Sequence, residues 1–388
     1  MPQPLPSRGD VVSLTQALVA VDSRNPSLAP GSAGEGDCAR ALGAVLDAWG
    51  FRVSLADSVP GRPNVVARIG RAGGRTLMFN GHLDTVGVDG MAHAPFDPAI
   101  RDGMLYGRGS CDMKGGVAAM CAAAVHAVDA GLAGEIVIAA VTDEEYQSAG
   151  TASLLRHGVH ADAAIVTEPT RMAIGPAHRG FAWAEVTVHG VAAHGSRYDV
   201  GVDANTMAGL LLAELETFQR DVLPTRTHPL LGRGSFHAAR LSGGIGLSTY
   251  ADACTIAFER RTLPGDTGES FAEELRTACT RVASRDARFR ADVQVTFVQA
   301  ANDVAVDAPI VRTLAEAVEA VEGAAAPIEG LSYWTDAALL SAAGIPAICY
   351  GPGDIRLAHS ATEYVPVAEL RRVTAVLAQC ALSWCAGR

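Results

Sequence analysis

The hydrophobic positions in the first part of the chain alternate between helical spacing and short, unbroken apolar runs. Val11, Leu14 and Leu18 are spaced as on one face of a helix, and the segment 114–130 carries a second amphipathic face. The run 135–141 is almost entirely apolar, which is typical of a strand that is covered on both faces. Helices that alternate with such strands predict an α/β fold, in which a mostly parallel sheet is sandwiched by helices.

A different pattern begins at the segment 182–188, which alternates polar and apolar residues as a strand with one exposed face does. Helical stretches and further strands follow it and predict a small α+β layer, after which the first pattern returns. We therefore predict a discontinuous α/β domain, residues 1–179 and 299–388, with a smaller α+β domain inserted at residues 180–298.

Composition and charge restrict the class of protein. Hydrophobic residues make up 49% of the 388 positions and charged residues 19%, as in an ordinary globular protein. The net charge of −11 argues against a protein that binds nucleic-acid phosphates, and no apolar run approaches the roughly 20 residues of a membrane span. The N-terminal residues MPQPLPSRGD lack the order of a secretion signal, and the 8 cysteines contain no CxxC pair. We therefore expect a soluble, cytoplasmic protein that binds neither nucleic acid nor membranes.

Ionisable residues follow the predicted strands of the α/β domain at the points where the strands end. They are His82 and Asp84 after 76–79, Asp143, Glu144 and Glu145 after 135–141, Glu168 after 163–166, and His359 after 347–350. Ligands bind at the carboxyl ends of the strands in parallel sheets. We therefore expect these side chains to meet at one edge of the sheet and to form a binding site.

The carboxylates in this set need a counter-charge. Glu144 and Glu145 are neighbours in the chain and repel each other, and Asp112 and Glu168 would add to the repulsion unless a cation is bound. A set of His, Asp and Glu without thiolates suits Zn²⁺, with Co²⁺ or Mn²⁺ as poorer fits. Each residue also has a plainer interpretation: a lone His is usually hydrogen-bonded, and Asp112 could simply cap the helix that follows it.

Five motifs occur in a fixed order: His82-Leu83-Asp84, Gly107-Arg108-Gly109 followed by Asp112-Met113-Lys114-Gly115-Gly116, Asp143-Glu144-Glu145, Thr167-Glu168-Pro169 and Ala358-His359. Together they resemble the zinc-dependent peptidase and deacylase family that includes acetylornithine deacetylase, succinyl-diaminopimelate desuccinylase, aminoacylase and carboxypeptidase G. The resemblance extends from Leu14 to the last helix. It implies that the α/β domain is catalytic and that the inserted domain is a lid and dimerisation domain.

The resemblance also implies a role for each motif residue and two Zn²⁺ ions in each subunit, with Co²⁺ or Mn²⁺ as possible substitutes. The implied ligands are His82 and Glu168 for one ion, Glu145 and His359 for the other, and Asp112 as the bridge between them. Asp84 is implied to hold the second ring nitrogen of His82, which fixes the orientation of the imidazole. Glu144 is implied to be the general base.

The inserted domain contains two further matches. His194, in a Gly-Val-Ala-Ala-His-Gly-Ser segment, resembles the family histidine that reaches a partner subunit's site and stabilises the oxyanion, which implies a homodimer. Arg261, just before Thr-Leu-Pro-Gly, resembles the arginine that binds the substrate carboxylate, with Arg260 as the alternative. Ser248 stands where many members have a substrate-contacting Asn. From the residues alone, a loop contact for His194 and a surface ion pair for either Arg stay open.

The resemblance implies hydrolysis of the amide bond of an N-acyl amino acid by a metal-activated water. Glu168 favours this deacylation, because several dipeptidases and carboxypeptidases of the family have Asp at its position. A metal-dependent dipeptidase or carboxypeptidase is the alternative within the family, and a non-catalytic small-molecule binding protein on the same fold is the alternative from another class. A nucleotide-dependent enzyme is rejected, because neither GxxxxGK[ST] nor GxGxxG occurs.

Overall fold

The computed structural model describes residues 5–387. The helices are α1 Val11–Val19, α2 Gly36–Ala48, α3 Gly115–Asp129, α4 Ala149–Arg156, α5 Ala204–Asp221, α6 Gly268–Arg285, α7 Pro309–Glu322, α8 Ala337–Ala342 and α9 Val367–Cys385. The strands are β1 Arg52–Val59, β2 Arg62–Gly70, β3 Thr76–His82, β4 Ile100–Arg101, β5 Met104–Tyr106, β6 Glu135–Val141, β7 Ala163–Val166, β8 Ile174–His178, β9 Gly180–His189, β10 Thr227–His228, β11 Gly232–Arg233, β12 Ser235–Gly243, β13 Ala253–Thr262, β14 Arg290–Gln299, β15 Asn302–Asp303, β16 Ile328–Leu331, β17 Ala347–Cys349 and β18 Tyr364–Pro366. Within residues 5–387, no helix combines the length and the apolar character needed to cross a membrane.

The chain divides into two units. The first consists of the described residues up to Pro176, Val304–Glu329 and the described residues from Thr335 onward; the second consists of Ala177–Asp303 and Gly330–Trp334. The short second segment joins the latter unit through Trp334, whose indole Nε1 donates a hydrogen bond to the carbonyl oxygen of Ala300 at 2.9 Å. The domain organisation inferred from the sequence stays a prediction.

The sheet of the first unit is parallel in its centre and antiparallel at its margins. Its strands lie in the order β1-β2-β6-β3-β7-β17-β8, with parallel pairing from β6 through β3 and β7 to β17. Helix α3 connects β3 to β6 and α4 connects β6 to β7, as parallel pairing requires. By contrast, β1 and β2 are joined by a short turn, which forces them to pair antiparallel. The predicted α/β class with a mostly parallel central sheet is confirmed.

Helix α3 forms the centre of one layer beside this sheet. It is rich in alanine and buried along almost its whole length, and it packs against α9 and α1. Small side chains allow such close packing between helices and strands. The consequence for the site is that the N-terminus of α3 is held firmly, directly after the segment that carries Asp112.

The second unit contains the antiparallel sheet β12-β13-β9-β14 with α5 and α6 against one face. Along β9, Ala182, Ala184, Val186 and Val188 are buried in the core that includes both helices. The alternating residues Phe181 and Trp183 lie on the opposite face, where the centroids of their rings are 5.4 Å apart. This alternation is the two-residue period expected of a sheet with one covered face.

Candidate metal centre

His82 is the last residue of β3 and is 2% exposed. Its Nδ1 lies 2.9 Å from the main-chain carbonyl oxygen of Asp84 and 3.6 Å from the Asp84 carboxylate. Asp84 thus lies against the second ring nitrogen of His82, and the shorter distance is to its carbonyl group. A hydrogen bond from Nδ1 to a carbonyl oxygen leaves Nε2 free to bind a metal ion.

The Asp84 carboxylate is directed elsewhere because it accepts three other hydrogen bonds. The main-chain N–H groups of Glu144 and Glu145 donate to it at 3.1 and 3.2 Å, and the side-chain amide of Asn25 donates at 2.8 Å. Asp84 therefore connects the end of β3 to the turn after β6.

Asp112 lies in the short turn Ser110–Lys114 that precedes α3, and its own backbone there is not helical (φ −120°, ψ 96°). Its Oδ1 is 3.1 Å from Nε2 of His82, and its Oδ2 is 3.4 Å from Nε2 of His359. The interpretation of Asp112 as a helix cap is wrong, because α3 has no side-chain cap and the Asp112 carboxylate is held between two imidazoles.

Glu363 holds this turn in place, and sequence reasoning did not identify it. Its Oε1 accepts hydrogen bonds from the N–H groups of Cys111 and Asp112, both at 3.0 Å, and its Oε2 accepts from Arg108 at 2.6 Å and from Gly109 N–H at 3.1 Å. The side chain is 0% exposed as part of a buried ion pair with Arg108. No motif marks Glu363, because its partners lie about 250 residues away in the chain.

A glycine allows the two acidic segments to approach each other. A Cβ atom at Gly116 would lie 2.0 Å from the carbonyl oxygen of Thr167, which is closer than any side chain permits. Glycine at this position therefore lets the start of α3 lie against the turn that carries Glu168. Gly116 of the motif thus allows Asp112 and Glu168 to lie close together.

The proposed ligands form two groups that share Asp112. His82, Asp112 and Glu168 form one group, and Asp112, Glu145 and His359 form the other; within each group, one ligand atom per residue lies within 4.8 Å of the others. His359 Nε2 is 3.1 Å from Glu145, and His82 Nε2 is 3.9 Å from Glu168. A carboxylate shared by two such groups is the arrangement expected for a pair of metal ions.

The charges of this cluster fit divalent cations. Burial raises the pKa of Glu168 well above its usual range, and the charge of Asp112 raises it further. Burial also raises the pKa of Glu145 and, well above its usual range, that of Glu144. The ion pairs of these carboxylates are with imidazoles rather than with Lys or Arg. Bound dications would supply the missing positive charge, and His with carboxylate oxygens is a donor set that suits Zn²⁺.

We expect the metal-free protein to lose stability as the pH rises from about 5 to about 8. Folding raises the pKa of Glu168 and of His82. Burial alone would lower the pKa of His359, but the hydrogen bonds that its ring donates to Asp112 and Glu145 outweigh burial and raise this pKa to about 10. Groups with raised pKa values stabilise the fold fully below their unfolded pKa and lose that contribution as the pH rises towards the folded pKa. The lowered pKa of Asp112 acts in the opposite sense, but only at more acidic pH.

Thermal unfolding of EDTA-treated and zinc-loaded protein in the same buffers measures this effect. The stabilisation by zinc should increase with pH, because protons compete with the metal for the ligands at low pH. A melting temperature of the metal-free protein that rises between about pH 5 and pH 8 would contradict the assignment of these groups.

The remaining predicted residues lie in the second unit. His194 is exposed, forms a β-bridge with Thr249 and has its Nδ1 2.8 Å from the Ser196 hydroxyl. The N–H of Gly195 donates to the carbonyl oxygen of Ser248 at 2.7 Å, so the segments of His194 and Ser248 are neighbours.

The two adjacent arginines differ in their surroundings. Arg260 is 2% exposed and donates to Glu274 at 3.1 Å and to Asp266 at 3.4 Å. Arg261 is partly exposed, donates through Nε to Glu259 at 2.8 Å, and places its guanidinium 5.4 Å from the centre of the Phe181 ring. Arg260 is thus held in internal ion pairs, and Arg261 is the one accessible to a ligand.

Comparisons with known proteins agree with this chemistry. Residues 78–383 match the family described as peptidase family M20/M25/M40. Acetylornithine deacetylase of Myxococcus xanthus is 34% identical over 354 residues, which cover 88% of this chain and 90% of that protein. N-formyl-4-amino-5-aminomethyl-2-methylpyrimidine deformylase of Bacillus subtilis is 28% identical over 371 residues, which cover 88% of this chain and 87% of that protein. Among solved structures, aminopeptidase PepT of Bacillus cereus shares the fold, with a TM-score of 0.80 at 22% identity over 98% of this chain and 99% of that one.

Proposed function

Because the chain belongs to peptidase family M20/M25/M40, whose members are metal-dependent hydrolases of amide and peptide bonds, we propose that it is a dinuclear zinc enzyme that cleaves the amide bond of an N-acyl amino acid. Membership of the family confirms the resemblance that was inferred from the motifs, and it also confirms the predicted enzyme class. It therefore sets aside the alternative of a non-catalytic binding protein. The observation that carries the finer proposal is the pair of ligand groups that share Asp112.

Each ion has its own ligands in this proposal. His82 and Glu168 would hold one ion, Glu145 and His359 the other, and Asp112 would bind both. When bound, the ions lower the pKa of a water molecule and polarise the scissile carbonyl group. Zn²⁺ is the metal we propose, with Co²⁺ or Mn²⁺ as substitutes, because the donors are imidazoles and carboxylates.

Glu144 is the residue we propose as general base. Its carboxylate belongs to neither ligand group, and it lies 3.9 Å from Nε2 of His82. Among the described residues it accepts no hydrogen bond, so its oxygens are available to a proton. Glu144 would take a proton from the attacking water and deliver it to the leaving amine.

Arg261 is the residue we propose for the substrate carboxylate. Its Nε is bonded to Glu259, and its side chain is 34% exposed, which leaves the Nη edge of the guanidinium for a ligand. A guanidinium matches the geometry of a carboxylate through paired N–H donors. We propose Ser248 as a further contact, on its position in the family motif.

A hydrolysis screen tests this function. Purified zinc-loaded and cobalt-loaded protein would be assayed on acetyl, formyl, succinyl and longer acyl amino acids, on their methyl esters, on dipeptides and on an N-formyl aminopyrimidine. We expect turnover of acyl amino acids and much weaker turnover of their methyl esters, because an ester cannot pair with Arg261. Faster hydrolysis of dipeptides would instead assign the chain to the peptidases, and faster hydrolysis of the pyrimidine would refute an amino-acid substrate.

We propose that His194 stabilises the oxyanion in the site of a partner subunit, and that the chain is a homodimer through the inserted domain. Large apolar side chains are exposed near His194 in the second unit: Tyr198 is 84% exposed, Ile245 91% and Leu247 109%. Strand β12 is an edge strand that is exposed along most of its length. Exposed apolar patches and open strand edges are typical of subunit interfaces.

Complementation between two inactive variants tests the role of His194. Glu144→Gln and His194→Ala chains, co-expressed with different tags, should form mixed dimers with one complete site, giving about a quarter of wild-type activity in the statistical mixture. Each variant expressed alone should be nearly inactive. A mixture as inactive as the separate variants would show that His194 does not act on a partner.

A further inference from the structure

Arg62, the first residue of β2, is buried behind the candidate metal centre. Its guanidinium donates through Nε and Nη2 to both carboxylate oxygens of Glu35, each at 2.8 Å. Nη2 also donates to Oδ1 of Asp143 at 3.0 Å. Glu35 is 0% exposed and the Arg62 side chain 11% exposed. Such a two-pronged pair fixes the direction of the guanidinium.

Asp143 has a backbone conformation that needs support. Its φ is +68°, in the left-handed region that residues other than glycine seldom adopt. Its N–H donates to Glu35 Oε1 at 3.0 Å, and its carboxylate accepts from Arg62 and from the side-chain amide of Asn25, both at 3.0 Å. The pair of Arg62 and Glu35 therefore holds Asp143 through both its backbone and its side chain.

Asp143 directly precedes the proposed base and a proposed ligand. The N–H groups of Glu144 and Glu145 donate to the two oxygens of Asp84, and Asn25 connects Asp84 to Asp143. Three successive N–H groups of the turn are thus bound by buried carboxylates. The direction in which the Glu144 side chain points from the turn depends on these hydrogen bonds.

Charge makes Arg62 the centre of this arrangement. Glu35 and Asp143 are both buried, and Arg62 is the cation that forms ion pairs with each of them. Without it, the two carboxylates would repel each other across the N–H of Asp143. The turn would then be free to leave the left-handed conformation.

We propose that Arg62, fixed by Glu35, is a positioning residue that holds Asp143 and thereby aims the Glu144 carboxylate. The proposal deepens the function proposed above, since it rests on Glu144 as the base. It assigns to the pair a role in turnover in addition to its contribution to stability.

Arg62→Met tests the proposal, with Arg68→Met as the matched control. Arg68 lies on the same strand and forms an ion pair with Glu135 at 2.7 Å, remote from the turn. For Arg62→Met we expect kcat to fall about 10- to 100-fold with KM nearly unchanged and both metal ions retained. Arg62→Lys should recover only part of kcat, because it restores the charge without the fork. Arg68→Met should leave kcat unchanged.

The double variant Glu35→Gln/Arg62→Met separates positioning from stability. It removes the buried charge of Glu35 and leaves that of Asp143, which still accepts hydrogen bonds from Asn25 and from the N–H of Ala149. Its melting temperature should therefore recover part of the way from that of Arg62→Met towards the wild-type value, while kcat stays low. Recovery of kcat together with stability would overturn the proposal, as would loss of metal or failure of both variants to fold while Arg68→Met folds.

Hydrogen exchange supplies a readout that does not depend on activity. The amide protons of Glu144 and Glu145 should exchange at least about tenfold faster in Arg62→Met and unchanged in Arg68→Met. Unaltered exchange in Arg62→Met would overturn the positioning role. A wild-type protein that hydrolyses no substrate in the screen would refute the proposed function instead, and the exchange result would still report on the turn.

Discussion

Glu144→Gln is expected to lower kcat by about 10²- to 10⁴-fold while both metal ions stay bound. Gln has nearly the same shape as Glu but cannot accept the proton of the attacking water. Glu144 belongs to neither ligand group, and among the described residues its carboxylate accepts no hydrogen bond, so the substitution should disturb little else. The fall in kcat is measured with the best substrate, and the retention of both metal ions is measured by elemental analysis.

Glu145→Gln is the matched control for this experiment. Glu145 is the next residue of the same turn, is bonded to the same Asp84 carboxylate, and belongs to the group with Asp112 and His359. It should lose metal, whereas Glu144→Gln should not. Near-normal turnover of Glu144→Gln would remove its assignment as base, and loss of metal from it would make it a ligand.

His359→Ala is expected to remove one of the two metal ions and to lower kcat by at least about 10²-fold. His359 is the imidazole of the group formed with Asp112 and Glu145, and carboxylates alone bind Zn²⁺ less well than a mixed set. The group of His82 and Glu168 should keep its ion. Metal content per chain, measured after dialysis, checks the prediction, and an unchanged content of two ions would refute the ligand assignment.

The backbone at His359 requires a second variant. Its φ is +58°, a conformation that Ala adopts poorly and Asn more readily. His359→Asn should therefore lose the same ion with less disturbance of the loop. His157→Ala, which removes an imidazole of the first unit that bonds to Ser153 within α4, is the control and should retain both ions.

The grouping of the candidate metal ligands was predictable because these residues stand out from their surroundings in the sequence. His82 ends the strand β3, and Glu168 and Glu145 lie two and four residues after the ends of β7 and β6, so a polar group at these points has no packing role to explain it. Parallel pairing of β6, β3, β7 and β17 then places these strand ends along one edge. The position of these residues at the ends of apolar runs and the topology of the sheet therefore indicate the same edge of the sheet.

The supporting contacts were not predictable in this way. Glu363, Arg62 and Glu35 are ordinary polar residues in the sequence, and their roles arise from hydrogen bonds with segments far away in the chain. The contact between His82 and the carbonyl group of Asp84 depends on where the Asp84 carboxylate is drawn, which a motif does not reveal. The antiparallel pairing of β1 with β2 likewise follows from the short connection between them and not from the apolar pattern of the strands.

The anchoring of the Asp112 turn by Glu363 has a consequence for the order in which the site is completed during synthesis. All residues of the group formed by His82, Asp112 and Glu168 have been made before the ribosome reaches the second unit. His359 and Glu363 are made only after that unit. The segment that follows the second unit therefore supplies together the remaining proposed ligand of one group and the carboxylate that holds Asp112, which both groups share, so the site is incomplete until that segment has been made.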